Sequence, residues 1–128
     1  MTCSNERLTK MLDKALREYG ADYGYVITDK NVKKLLEAAA CEEIPAESST
    51  PEQVAEALIS IGKVLDQSDD GSELIAVVGA GAANMNVAFV AVAVKKDSAQ
   101  ASAVAREGLI KQGTAKKALA RIKASLDN

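Results

Sequence analysis

Two glycines and two asparagines interrupt a valine-rich stretch, "AVVGAGAANMNVAFVAVAV", from Ala76 to Val94. Gly79 and Gly81 could present successive backbone N–H groups to an anion without side-chain obstruction. Asn84 and Asn86 would add amide contacts. A dinucleotide fingerprint needs a third glycine and a helix after the turn, whose N-terminus receives the pyrophosphate. Here Asn84 stands at the third position, and "VAFVAVAV" has the β-branched content of a strand. No P-loop lysine follows. The stretch therefore reads as a β-hairpin whose long connection, Gly79 to Asn86, is either a ligand-binding loop or a structural turn.

The remaining residue types narrow the chemistry. The chain has no histidine, which excludes Ser-His-Asp and Cys-His arrangements and removes the usual general base near neutral pH. Cys3 and Cys41 are too few for a zinc site and read as free thiols, with Cys41 packed on a helix stripe. Asp66, Ser68, Asp70 and Gly71 match positions 1, 3, 5 and 6 of a calcium loop, but Val77 stands where a bidentate Glu is required. That stretch reads as a turn closing a helix. All the tyrosines cluster as Tyr19, Tyr23 and Tyr25; the last two share one face of an expected strand, packed or stacked on a planar ligand. The chain is acidic up to Val94 and basic from Lys95 onward, with Arg106, Lys111, Lys116, Lys117, Arg121 and Lys123. Such a tail binds an anion or complements the acidic body. With a net charge of −2 and no supporting motif, a nucleic-acid partner is not expected.

These residues must be positioned by a single domain, 1–128, of ordinary globular composition. Leu8, Met11, Leu12, Ala15, Leu16 and Tyr19 keep the spacing of an amphipathic helix, with Ser4 as N-cap and Gly20 after its end. "YGYVIT", Tyr23–Thr28, reads as a strand. Asp29 caps a second helix, which Pro45 stops. Thr50, Pro51 and Gln53 form a capping box opening a third helix, with a stripe running to Leu65. Leu74–Val78 and Val87–Val94 are strands dry on both faces, and so covered on two sides. Asp97 and Gln100 suggest a helical tail, with Gly108 and Gly113 marking a break and Thr114 capping a final helix.

The expected class is α+β, or a small α/β domain, in the order helix-strand-helix-helix-strand-strand-helix(-helix), with a roughly three-stranded sheet. That order resembles roadblock-type dimerisation domains, which place helices against a central sheet. That family has a β-hairpin after its first helix, where this chain offers one strand before "DKNVKKLL". Three strands with such dry centres leave edges to protect, so a homo-oligomer is expected, with coverage by helices within a monomer as the alternative. The leading functional reading is a non-catalytic, self-associating module that binds a small anionic metabolite or nucleotide. Its ligand-binding candidates are Gly79, Gly81, Asn84, Asn86, Tyr23, Tyr25 and Arg106. The alternatives are a protein–protein adaptor or scaffold without a small ligand, and an enzyme using carboxylate, lysine or cysteine. No catalytic or metal-binding residue is assigned, and no cofactor. A cytoplasmic location is expected, because no apolar run reaches the ~20 residues of a membrane span and the N-terminus lacks a signal-peptide core.

Overall fold

The computed structural model describes residues 6–45, 50–80, 86–96, 98–106 and 113–126. The chain runs α1 (Glu6–Tyr19), a 3-10 turn (Gly20–Tyr23), α2 (Asp29–Glu37), β1 (Ala40–Pro45), α3 (Pro51–Ile61), β2 (Gly62–Gln67), β3 (Glu73–Ala80), β4 (Asn86–Val94), β5 (Ser98–Ala105) and α4 (Thr114–Leu126). Every strand pairing is antiparallel. The five strands form one sheet in the order β1-β5-β4-β3-β2.

Helices cover the sheet on both sides, which makes three layers. Leu8, Leu12 and Leu16 of α1 and Val32 of α2 pack with Ile75, Val77, Phe89, Ala91 and Val104. On the opposite face, Val54 and Leu58 of α3 and Ala118, Leu119 and Ile122 of α4 meet Leu74, Ala76, Val78, Val90 and Val92. The dry faces of β3 and β4 are thus both covered within one chain. Each fully buried Leu, Ile, Val or Phe contributes about 1.5–3 kcal/mol relative to exposure, so the two layers share the stabilisation.

The α+β class holds, but the three-stranded sheet does not: there are five strands. Tyr23–Thr28 is no strand. It begins in the 3-10 turn, breaks at Gly24 with φ +83°, and runs into α2. β-propensity measures how well a side chain fits a half-buried surface, and Tyr25 meets that requirement by burial against Phe89 without joining the sheet. The first strand comes later, at Ala40–Pro45, where alanines suggested more helix; Ala40 and Ile44 instead pack into the α3/α4-side core. α3 ends at Ile61, and Leu65, in step with its stripe, lies in β2. Ser98–Ala105 is a strand, not a helix. Ala99, Ala101 and Ala103 face one core while Ser102 and Val104 turn the other way, all of them buried. Small residues suit a strand pressed from both sides, and pairing overrides alanine's helical preference.

The capping box is present as expected: Thr50 Oγ1 accepts from Gln53 N and Gln53 Oε1 accepts from Thr50 N. α2 is capped by Thr28, one residue before Asp29, its Oγ1 accepting from Asn31 N at 3.1 Å. Asp29 instead pairs with Arg17, which also holds Asp13, so one guanidinium ties α1 to α2. Gly20 starts the 3-10 turn, and Gly24 takes the left-handed conformation. Ser4, Asp97 and Gly108 lie outside the described residues.

The "DQSDDG" segment closes the β2–β3 hairpin, not a helix. Asp70 Oδ1 accepts from Ser68 Oγ (2.8 Å), Ser72 N (2.9 Å) and Ser72 Oγ (2.7 Å). These bonds, led by the Ser72 amide, favour the carboxylate and lower its pKa from 3.8 to about 2. At the other end of that hairpin, β2 begins at a glycine for steric reasons. A Cβ built on Gly62 would lie 1.9 Å from the Val77 carbonyl oxygen.

Gly62→Ala is therefore expected to cost at least about 1–3 kcal/mol, read as a lower urea midpoint at unchanged slope. An unchanged midpoint would contradict the close approach of β2 to β3. Because the folded pKa of Asp70 lies below its ordinary value, the turn's stabilisation is present above that value and fades as pH falls through about 2. An NMR titration of the Asp70 carboxyl carbon should give a midpoint near 2; an unshifted midpoint would mean that the turn's hydrogen bonds are not made.

Candidate functional site

Four of the seven ligand candidates converge at the end of the sheet where β3 turns into β4. Tyr25 enters the core there because Gly24 redirects the chain toward it. Its ring meets Phe89 edge-on, centroids 5.1 Å apart at 85°. Its hydroxyl donates to the Val87 carbonyl at 2.6 Å. Tyr23 approaches Phe89 from another side, again edge-on, at 5.6 Å and 88°. Such T-shaped contacts are worth about 0.5–1.5 kcal/mol beyond area burial. Both tyrosines thus spend ring area on one phenylalanine of β4, the only one in the chain.

Arg106, directly after β5, lies over this cluster. Its guanidinium carbon stands 6.0 Å from the Tyr25 ring centroid. Its nitrogens also occupy the space beside Gly24, where a Cβ would come within 3.1 Å of one of them. The backbone of Arg106 is held as well. Asn86 Nδ2 donates to the Arg106 carbonyl at 2.9 Å and to Thr114 Oγ1 at 3.1 Å, while Asn86 Oδ1 accepts from Val87 N at 3.0 Å. The Asn86 amide thus joins the start of β4, the end of β5 and the start of α4, and is spent on that junction.

Of the other three candidates, Gly79 lies opposite Val87 at the same end of the sheet. Gly79 belongs to β3, and its carbonyl accepts a hydrogen bond from the Arg121 guanidinium of α4. Gly81 and Asn84 fall outside the described residues. Arg121, one of the basic residues of the tail, serves as a donor to the sheet.

Cys41 lies in β1, not on a helix, and it is disulfide-bonded. The free-thiol expectation is therefore wrong for it; Cys3, the only other cysteine of the chain, lies outside the described residues. A disulfide sulfur carries no proton, so the Ser102 hydroxyl, 3.4 Å away, is the donor between them. Disulfides persist in oxidising compartments, and the cysteines no longer argue for the cytoplasm. Among the described residues, no helix is long and apolar enough to cross a membrane, and no cluster of His, Cys, Asp and Glu is arranged to hold a metal ion.

A second feature had no signal in the sequence. Beside β2, on the α1 side of the sheet, lies a cleft of about 360 Å³ lined by charges of both signs: Lys10, Lys14 and Glu18 on α1, Asp66 on β2 and Glu73 on β3. Arg7 bridges it, donating to both Glu73 carboxylate oxygens at 2.6 and 2.7 Å, and these hydrogen bonds, with a smaller contribution from its positive charge, hold the Glu73 pKa below the ordinary value. β2 itself pairs only with β3 and carries a bulge at Leu65. Lys63 is opposite Val77 and Asp66 opposite Ile75, two residues of the α1-side core. The bulge thus puts Lys63 and Asp66 on the same face, although three positions in a regular strand would separate them. Spacing alone hides that pair.

No family model matches this chain, and no curated protein or solved structure matches it either.

Asn86→Ala should cost about 1–3 kcal/mol, because it strips two acceptors of their donor. It should also speed hydrogen exchange at the Lys117 amide, which bonds the Gly113 carbonyl in the first turn of α4. Exchange at wild-type rate would show that Asn86 does not anchor α4.

Proposed function

We propose that this protein is a non-catalytic, self-associating module whose copies meet along β2. The observation that carries this reading is the self-complementary edge of that strand. When two β2 strands run antiparallel about a two-fold axis normal to the sheet, each face is retained. Residues equidistant from the centre then oppose one another. Lys63 of one copy faces Asp66 of the other, twice, with the half-buried Val64 and Leu65 between them. The outward backbone groups of β2 supply the ladder, apart from the Gln67 amide, which donates to Asp66 Oδ1 at 2.9 Å.

The other edge resists the same operation. Centred on either exposed glutamate of β1, Glu42 or Glu43, a two-fold sets a carboxylate against its own copy, and like charges directly opposed are destabilising. Pro45 removes a further donor. A bulge and a lysine commonly guard an edge against indiscriminate pairing; on β2 they leave one register favourable. Ile59, 61% exposed and three residues before β2 begins, adds apolar surface beside that strand. A second copy is favoured over a foreign protein because the charges of β2 complement themselves.

Sedimentation over a concentration series should show a monomer–dimer equilibrium. Each opposed pair contributes roughly 0.2–1 kcal/mol. Lys63→Glu converts two attractions into two repulsions and should weaken the dimer on the order of tenfold or more. Combining Lys63→Glu with Asp66→Lys should restore it. A wild-type protein that stays monomeric throughout, or a double variant as dissociated as the single, would defeat this reading.

A further inference from the structure

We propose that Arg106 anchors a binding site for the oxyanion of a small organic acid, a carboxylate or phosphate, at the β3–β4 end of the sheet. The chain has four arginines, and three have their guanidinium committed to an acceptor. Arg7 holds Glu73, Arg17 holds Asp13 and Asp29, and Arg121 holds the Gly79 carbonyl. Arg106 is different. It is exposed, and among the described residues no carboxylate lies within ion-pairing distance of it.

Arg106 is nonetheless not loose. Its carbonyl is held by Asn86, its guanidinium lies over the Tyr25 ring, and the absent side chain of Gly24 leaves the space that the guanidinium fills. Tyr25 is itself locked by Phe89 and by the Val87 carbonyl. A guanidinium 6.0 Å over a ring centroid keeps its in-plane N–H donors at its rim, in the fork that matches two oxygens of one anion. Ordering a free arginine side chain opposes binding, and here much of that ordering precedes the ligand.

The surroundings also indicate what the anion is attached to. Val26, two residues beyond Gly24, is 64% exposed, the most exposed large apolar side chain among the described residues. It offers contact to an apolar body carrying the anionic group. An aromatic base finds less here, because Tyr25 is buried and both tyrosine rings already pack on Phe89. The class is therefore a compact acid with an apolar portion, bound through its oxyanion.

The test is an NMR titration of the full chain with four probes: inorganic phosphate, phenyl phosphate, acetate and benzoate. Saturable shifts at Arg106 Nε, the Tyr25 ring and the Val26 methyl groups are expected, stronger for phenyl phosphate and benzoate than for the bare ions. The stronger of those two identifies the head group as phosphate or carboxylate. Arg106→Lys keeps the charge and loses the fork, and should weaken binding at least about tenfold, the equivalent of one charge-assisted hydrogen bond. Unsaturable shifts spread over Lys116, Lys117 and Lys123, or equal binding by the lysine variant, would overturn the site. Lys63→Glu, which disrupts only the β2 contact, should leave the titration unchanged, so the two proposals fail separately.

Discussion

The pairing of β3 with β4 is the constraint on which the rest of the molecule depends. Eight residue pairs join these strands from Glu73↔Ala93 to Ala80↔Asn86, and most of their side chains are apolar on both faces. A hairpin of that kind cannot stand in water on either side. It requires two layers of cover, which explains why this short chain spends four helices on one sheet. The cover is close, so β5 must be thin, and its alanines and Ser102 allow α4 and α1 to approach from opposite sides.

The same hairpin organises the sheet end. Phe89 of β4 is the surface on which Tyr23 and Tyr25 converge, and Val87 supplies the carbonyl that holds Tyr25 in place. Asn86 then connects β4 to the chain on either side of residues 107–112, through Arg106 and Thr114. Rigid elements thus support an exposed cation through several contacts, none of them strong alone. Their joint effect is geometric: a long, flexible side chain is confined to one region of the surface.

The two edges of the sheet illustrate how small electrostatic terms can select between otherwise similar surfaces. β1 and β2 are of equal length, and each pairs with only one neighbour. Their backbones differ, since Pro45 removes a donor from β1 and a bulge interrupts β2. A two-fold centred on either Glu42 or Glu43 of β1 would set that glutamate against its own copy, whereas the bulge in β2 would align a cation with an anion. The individual energies are no more than about 1 kcal/mol each. Repeated by symmetry, they favour β2 over β1 for the contact between copies that we propose.

Much of the local structure was legible in the residues. The amphipathic stripes of α1 and α4, the Thr50-Pro51-Gln53 capping box and the two dry strands depend on side chains within a few positions of one another, so the sequence alone determines them. The absence of histidine likewise limits the chemistry before any fold is known. What the sequence did not reveal were β1, β2 and β5, because Ala40–Pro45 is a strand only against β5, Ser98–Ala105 only between β1 and β4, and β2 only against β3. Asn86, Tyr25 and Arg106 could be singled out as residue types, but not as neighbours, since their contacts span 20 to 81 positions. The Lys63–Asp66 alignment arises from a bulge defined by a partner strand. Only the tertiary structure decided these, for the physical reason that a strand's partner, and hence the face each side chain takes, is settled by contacts distant in the chain.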